Sequence, residues 1–305
     1  MTLTIFDQNK LIFKPFIIFI ILKPVVIFKI INFNFYKKKK PGLGLSPAAM
    51  KIGILTDIHE NTKMLQEALR LAEVKKCDEL VCLGDIVGFD RRFYKFVRER
   101  SAKNCLELIR SNCKWIVAGN HDLFAARRFP AYSNGFNYPD RWFTMSSEER
   151  RSVSAGKVWS YEFDDPNDLG EDDIAFIRSL PEFITTSFKG ISYLLSHYIF
   201  PDFTGSTTQY IERNRQLKAV WDFMSNHQVM YSFSGHSHGC FAGFAYSNSS
   251  SLFKAINSIP NNSFSLGNEM IVIALPPLAG DKGKSGFSII DTETLKLDIV
   301  STIIN

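Results

Sequence analysis

The chain has 305 residues, of which 45% are apolar and 22% charged, a composition that excludes an intrinsically disordered protein. At this length a chain buries roughly 75% of the surface its unfolded form exposes. One large domain, with or without additions, is therefore expected to hold its core without disulfides or a structural metal. The net charge of +5 is uneven: residues 1–49 carry eight Lys and one Asp, whereas residues 50–305 carry 28 basic and 30 acidic side chains. The body thus gives no electrostatic reason to expect a nucleic acid or an acidic membrane as partner.

Residues 1–49 form an atypical Lys/Ile/Phe-rich extension, in which Phe, Ile, Lys and Asn supply 27 residues. Lys14, Lys23 and Lys29, with Pro15 and Pro24, cut its apolar stretches into pieces shorter than the ~20 residues that span a bilayer. A secretory signal would place its charge ahead of the apolar part rather than inside it. The expectation is an over-extended start, with the working chain opening at Met50; the rival is a degenerate membrane or interfacial anchor, and membrane contact rests on that rival alone. Cys77, Cys82, Cys105, Cys113 and Cys240 are odd in number and contain no C-x-x-C pair. That argues against a disulfide framework or zinc ribbon and for a reducing, cytoplasmic setting.

From Met50 the pattern alternates. Lys51–Thr56 is a strand-like apolar run, and Asn61–Val74 follows with apolar residues at helical spacing. Leu80–Leu83 reads as a second strand, Phe93–Ile109 as a helix and Trp115–Ala118 as a third strand. From Leu123 to Phe188 the pattern loosens around helices near Ser146–Tyr161 and Glu171–Leu180, with FDDPNDLGEDD as a polar connector. This is read as a helical insertion over the sheet edge, at about residues 123–188. Strands return at Ile191–Ser196 and Val229–Phe233, separated by a helix near Gln209–Asn226. Strands then dominate, at Met270–Ala274, Gly286–Ile290 and Leu295–Val300. The alternation predicts an α/β sheet whose loops gather on one edge.

Nearly every strand of that sheet ends in metal-binding residue types: Asp57-Ile58-His59, Gly84-Asp85, Gly119-Asn120-His121-Asp122, His197, and Gly235-His236-Ser237-His238. Five of the six histidines lie in these segments. Loops at the carboxyl ends of strands in an open α/β sheet converge on one crevice, so distant segments can build one site with room for two metals. Imidazoles with carboxylates suit Mn, Fe, Co, Ni or Zn, whereas all-oxygen cages suit Mg or Ca. Two such ions ~3.5–4 Å apart clamp the attacking and leaving oxygens of an in-line displacement and activate a bridging water, which points to phosphoester hydrolysis. Taken singly, the fragments also read as a helix cap, turns or a core histidine.

In their order, DIH, GDIVG, GNHD, SHYIF and GHSH resemble the five blocks of the calcineurin-like metallophosphoesterases. The match runs from Lys51 to about Gly239. The resemblance implies a four-layer α/β/β/α sandwich of two mixed β-sheets over residues 50–305. It implies one metal on Asp57, His59 and His238, a second on Asn120, His197 and His236, and Asp85 bridging both. It also implies hydrolysis of a phosphodiester or phosphomonoester through a metal-bridging hydroxide, with two divalent ions, manganese first, as cofactors. His121 is the implied general acid. Many relatives end the second block in an Asp that orients this histidine, and this chain has Gly88 there; Asp122 or Asp90 is the expected replacement.

The GDIVG and GHSHG variants and the segment Ala274–Asp291 resemble bacterial small phosphodiesterases and diadenosine-tetraphosphatase-like proteins, although PPLAG replaces their usual Gly-Ser-Val-Gly turn. The expected partner is a small phosphorylated substrate, with a nucleotide as one form of it. Arg91, Arg92, Arg127 and Arg128 are candidate phosphate contacts or solvated helix-start residues. Phe136, Tyr138, Trp142 and Phe143 either stack on a nucleobase or pack the insertion onto the sheet. The rival from another class is a catalytically weak metal-binding scaffold of the same fold, acting in protein binding.

Overall fold

The computed structural model describes residues 49–238, 242–248, 255–259, 262–280 and 285–302. The expectation for the N-terminal extension falls outside these residues, as does Cys240. Among the described residues no helix is long and apolar enough to cross a membrane.

Two six-stranded mixed sheets form the centre. The first contains β1 (Lys51–Leu55), β2 (Glu79–Cys82), β3 (Trp115–Ile116), β9 (Ser263–Ser265), β11 (Gly286–Asp291) and β12 (Lys296–Ser301), in the order β3-β2-β1-β11-β12-β9. The second contains β4 (Phe183–Phe188), β5 (Ile191–Ser196), β6 (Tyr231–Ser234), β7 (Gly243–Tyr246), β8 (Asn257–Ser258) and β10 (Ile271–Ala274), in the order β4-β5-β6-β10-β7-β8. Parallel pairing joins β1, β2 and β3 in one sheet and β5, β6 and β10 in the other, and the remaining pairs are antiparallel.

Side chains alternate across a strand, and here the alternation sets the layers. Ile52 and Ile54 of β1 pack with Tyr193, Leu195, Phe233 and Ile273 of the second sheet, whereas Leu55 faces outward onto helices α1 (Thr62–Val74), α2 (Ala102–Asn112) and α5 (Glu171–Ser179). On the far side Leu194 and Val272 meet Val220 and Met224 of α6 (Lys218–Asn226). Helix, sheet, sheet, helix is the four-layer sandwich expected from the resemblance.

Several boundaries differ from the sequence reading. The helix expected from Phe93 begins at Ala102, because Ser101 Oγ accepts from Asn104 N (3.1 Å) as its cap. Residues 93–96 instead anchor a loop, with Tyr94 and Phe96 packed on Phe89. Helix α4 spans Ser147–Ser154 and stops there because Ala155 (φ 47°) and Gly156 (φ 73°) turn left-handed. The stretch 123–188 is helical only in part. Its last six residues form β4, whose FITTSF sequence alternates exposed and half-buried positions, the period-two pattern of a strand. Helix α6 starts at Lys218, after a short 3-10 turn at Asn214–Leu217, rather than at Gln209.

Candidate metal centre

The carboxyl ends of β1, β2 and β3 in one sheet and of β5 and β6 in the other open onto one cleft, and each delivers a polar residue from the first few positions after the strand. The turns that do so are tight. Asp57, His59, Glu60, Asp85 and His236 all adopt positive φ, between 46° and 66°, a region that costs most L-residues energy and is concentrated at functional sites. The β1 and β2 loops are laced together by Asp57 N to Gly84 O, Ile58 N and His59 N to Asp85 O, and Glu60 N to Ile86 O, at 2.8–3.1 Å.

Three groups of side chains result, each with one ligand-type atom per residue within 4.8 Å of the others: Asp57, His59 and His238; His59, Asp85 and His121; and Asp85, His197 and His236. Asp85 joins the groups. Its Oδ2 lies 3.8 Å from His59 Nε2 and 3.0 Å from His197 Nε2, and its Oδ1 accepts the His121 backbone N–H at 3.0 Å. Asp57 accepts the His236 backbone N–H (3.0 Å) and the Thr56 hydroxyl (2.8 Å), and its Oδ1 lies 2.9 Å from His238 Nε2.

The tautomers are fixed by carbonyls, which only accept. His59 Nδ1 donates to Gly88 O (2.7 Å) and His197 Nδ1 donates to Leu83 O (2.9 Å). When a ring is neutral the other nitrogen, Nε2, is a bare acceptor, and both Nε2 atoms are aimed at carboxylates and at other imidazoles: His59 Nε2 to His238 Nε2 is 3.2 Å, and His197 Nε2 to His236 Nδ1 is 3.3 Å. Acceptors packed this closely need protons or cations between them, and a backbone carbonyl behind the imidazole is the usual support of a metal-bound histidine. Asn120 Oδ1 adds the second sign. It is buried and accepts no hydrogen bond, which is uncommon for a buried polar atom, and its place at the cleft fits a metal ligand.

Electrostatics agree. Burial pushes His59 down to about 4 and His236 down to about 3, which keeps both rings neutral with a free lone pair. Burial would raise Asp57 and Asp85, but the surrounding histidines hold both well below the usual carboxylate range. His197 differs: burial opposes its charge, yet Asp85 and Asp57 push it up to about 9, so its Nε2 carries a proton toward Asp85 Oδ2 (3.0 Å), in the place a cation would take.

The seven expected metal ligands are thus placed around one cleft. Asp122 is not part of its surface. Fully buried, it accepts the backbone N–H groups of Ile86 (2.9 Å), Val87 (3.2 Å) and Gly119 (3.0 Å), so it holds the β2 loop against the start of α3 (Asn120–Ala125). Asp90 is also committed elsewhere, to Arg92. The carboxylate at His121 is Asp164, whose Oδ2 is 2.6 Å from Nδ1. Burial opposes charge on His121, and Asp164 with Asp85 pushes it up to about 10. Gly88 explains the exchange: it has φ +90°, and a Cβ there would lie 2.4 Å from His121 Nδ1. The ring occupies the space a side chain at 88 would need. No sequence signal marked Asp164, which lies in the aperiodic FDDPND run.

The candidate substrate groups are mostly engaged. Arg91 pairs with Asp165 (2.6 Å), and Arg128 with Glu182 (3.0 Å) and the Leu180 carbonyl. Phe136, Tyr138, Trp142 and Phe143 pack with Met145 and Val158 in a cluster of their own, so they pack the insertion. The cleft itself is a cavity of about 1050 Å³ lined by His59, Asn120, His121, His236 and His238 together with residues that the sequence reading had not singled out, including Tyr94, Tyr161, Phe163 and Tyr210.

The model of the family described as calcineurin-like phosphoesterase matches residues 50–240. An uncharacterized protein of Methanocaldococcus jannaschii is 25% identical over 170 residues, an alignment that covers 52% of this chain and 58% of that protein. The chain therefore spans less than two thirds of that curated relative. Among solved structures, a metallophosphoesterase from Sphaerobacter thermophilus is similar with a TM-score of 0.57 at 19% identity, covering 84% of this chain and 89% of its own. A hypothetical protein from Pyrococcus horikoshii gives a TM-score of 0.50 at 16% identity, covering 84% and 88%. At these identities the likeness shows the fold.

Proposed function

Since the chain belongs to the calcineurin-like phosphoesterase family, we propose that it hydrolyses a small phosphodiester or phosphomonoester with two divalent cations, manganese first among them. The observation that carries this reading is the convergence of bare acceptors around Asp85, together with the orphaned Asn120 Oδ1. Asp57, His59 and His238 would hold one ion; Asn120, His197 and His236 would hold the other; Asp85, which belongs to both sides, would touch both. Imidazole-rich donors favour Mn, Fe, Co, Ni or Zn over Mg or Ca. Bound there, a pair of dications supplies charge for the phosphoryl oxygens and activates water.

The chain's own chemistry centres on His121. Its Nδ1 is held by Asp164 (2.6 Å) and its ring edge is set against Tyr161 (centroids 5.4 Å apart), which itself stacks on Phe124 at 4.1 Å. Held by Asp164 and Tyr161 at the cleft wall, the imidazolium keeps its second proton, on Nε2, for the leaving oxygen, general-acid catalysis of the usual kind. A protonated ring also adds a positive charge beside the phosphoryl group. The odd number of cysteines without paired spacing keeps a cytoplasmic setting within this reading.

The test is hydrolysis of bis(p-nitrophenyl) phosphate and of p-nitrophenyl phosphate by the full chain, with manganese and with chelator. Metal-dependent release of p-nitrophenolate from either is the expected result. No release from both, with two equivalents of metal bound, contradicts it.

A further inference from the structure

The cleft is larger and more aromatic than a bare phosphate needs. Its volume of about 1050 Å³ sits at the upper end for small-molecule sites, which run from roughly 300 to 1,000 Å³. Two aromatic walls flank the metal ligands, one against each end of the cluster. At one end Tyr94 stacks on His59 with centroids 4.8 Å apart and planes 29° apart, and beyond it stand Phe93 and Phe163. At the other end Tyr210 stacks on His236 at 5.7 Å and 20°, with the edge of Trp159 against it at 6.2 Å.

Three of these rings are exposed although they line a cleft: Phe93 is 65%, Phe163 41% and Tyr210 45% accessible. Exposed aromatic surface gathered in a concave site marks a place where a ligand covers it. The wall at Phe163 is also charge-balanced. The Arg92 guanidinium lies 3.7 Å from the Phe163 ring centroid and donates to both oxygens of Asp90, to Oδ2 at 2.6 Å and to Oδ1 at 3.1 Å. With its charge matched in this way, Arg92 serves the wall as a stacked plane rather than as a phosphate clamp.

We infer that the substrate is a phosphodiester carrying a planar ring on each side of the phosphorus, one ring resting on the Phe163 wall and the other on the Tyr210 wall. This rests on the phosphoesterase reading and goes beyond it by naming what the two ester groups are. A small monoester would leave one wall empty. A planar ring has two chemical sources, an aryl alcohol or a nucleoside, and both share the stacking face that these walls offer.

Equilibrium binding separates this inference from catalysis. The full chain, loaded with manganese, is titrated by calorimetry with diphenyl phosphate, with dimethyl phosphate and with a dinucleoside monophosphate. Diphenyl phosphate should bind at least about tenfold more tightly than dimethyl phosphate. Phe163→Ala and Tyr210→Ala, both at exposed positions, should each narrow that ratio severalfold. Tighter binding of the dinucleoside monophosphate than of diphenyl phosphate assigns the rings to nucleosides, and the reverse order assigns them to aryl groups. Equal binding of diphenyl and dimethyl phosphate, or a ratio unchanged in either variant, overturns the inference whether or not either diester is hydrolysed. Failure of turnover with the ratio intact would instead count against the phosphoesterase reading.

Discussion

His121 and Asp164 are 43 positions apart in the chain, yet the carboxylate lies 2.6 Å from the ring's Nδ1. The pairing comes from two loops. One is the turn after β3 that carries Asn120 and His121. The other is the 161–168 segment, tied down by Asp165 to Arg91 (2.6 Å) and Arg100 (3.0 Å) and by Asp168 to Ser101 (2.7 Å). Asp164 thus supplies from the 123–188 stretch the orienting carboxylate that Gly88 cannot supply from the second block.

Asp164→Asn tests that role. It should lower kcat by about 10- to 100-fold with little change in KM, a fraction of the 10²–10⁴ that a general acid contributes, while two metals stay bound. It should also move the alkaline limb of the pH-rate profile. A neighbouring carboxylate favours the charged ring, so His121 is raised above its ordinary value and stays an acid to higher pH. Removing that charge lets the proton leave earlier, and the limb should shift to lower pH. A limb that stays in place, measured from kcat across pH 6 to 11, contradicts the role.

Gly88→Ala places a methyl group where the His121 ring now lies, at a φ of +90°. The backbone strain costs about 1 kcal/mol, and the ring must move away from Asp164. The expected outcome is a modest loss in melting temperature with a large loss of kcat and intact metal content. Gly205→Ala should differ in its metal content. Its Cβ would lie 2.5 Å from His236 Nδ1, again at positive φ, so metal retention should fall along with activity. Elemental analysis of both purified variants decides the comparison.

Asp122 was expected to be catalytic, and its contacts give it a different task. Three backbone N–H groups donate to a carboxylate with no exposed surface. Removing a buried acceptor of several N–H groups costs roughly 2–4 kcal/mol. Asp122→Ala should therefore lower stability to denaturant by about that amount. An Asp122→Ala protein of wild-type stability with abolished turnover would return the residue to the chemistry.

Much of the site was legible because strand ends are a poor place for Asp and His without a reason. Five apolar runs each led directly into such a residue, and two sheets with parallel central strands bring those ends to one edge. Ile52 and Ile54, alternating with Leu55, likewise announced a strand buried on both faces. What sequence could not show is where an aperiodic stretch returns. Asp164 carries no periodic pattern around it, and its neighbour Asp165 has the same side chain with a different partner. Asp122 misled for a related reason. Adjacency to His121 along the chain suggested shared work, but the first turn of α3 sends the Asp122 carboxylate back to residues 86 and 87. Tyr94 was read into a helix, whereas the Ser101 cap starts that helix later and leaves the ring free to lie on His59.

Asn120→Ala separates the two ions. Its Oδ1 is a buried acceptor at the cleft without a protein partner, so its loss should cost the ion expected on His197 and His236 more than the ion on Asp57, His59 and His238. The expected metal content falls from two equivalents to about one, read by elemental analysis after gel filtration. Retention of two equivalents would remove Asn120 from the ligand set.

The most direct measurement is anomalous diffraction from crystals of the full chain grown with manganese. Two peaks are predicted, one within coordination distance of Asp57, His59 and His238 and one beside Asn120, His197 and His236, with Asp85 in contact with both. A single peak, or peaks away from Asp85, would contradict the dinuclear centre on which the hydrolytic reading stands.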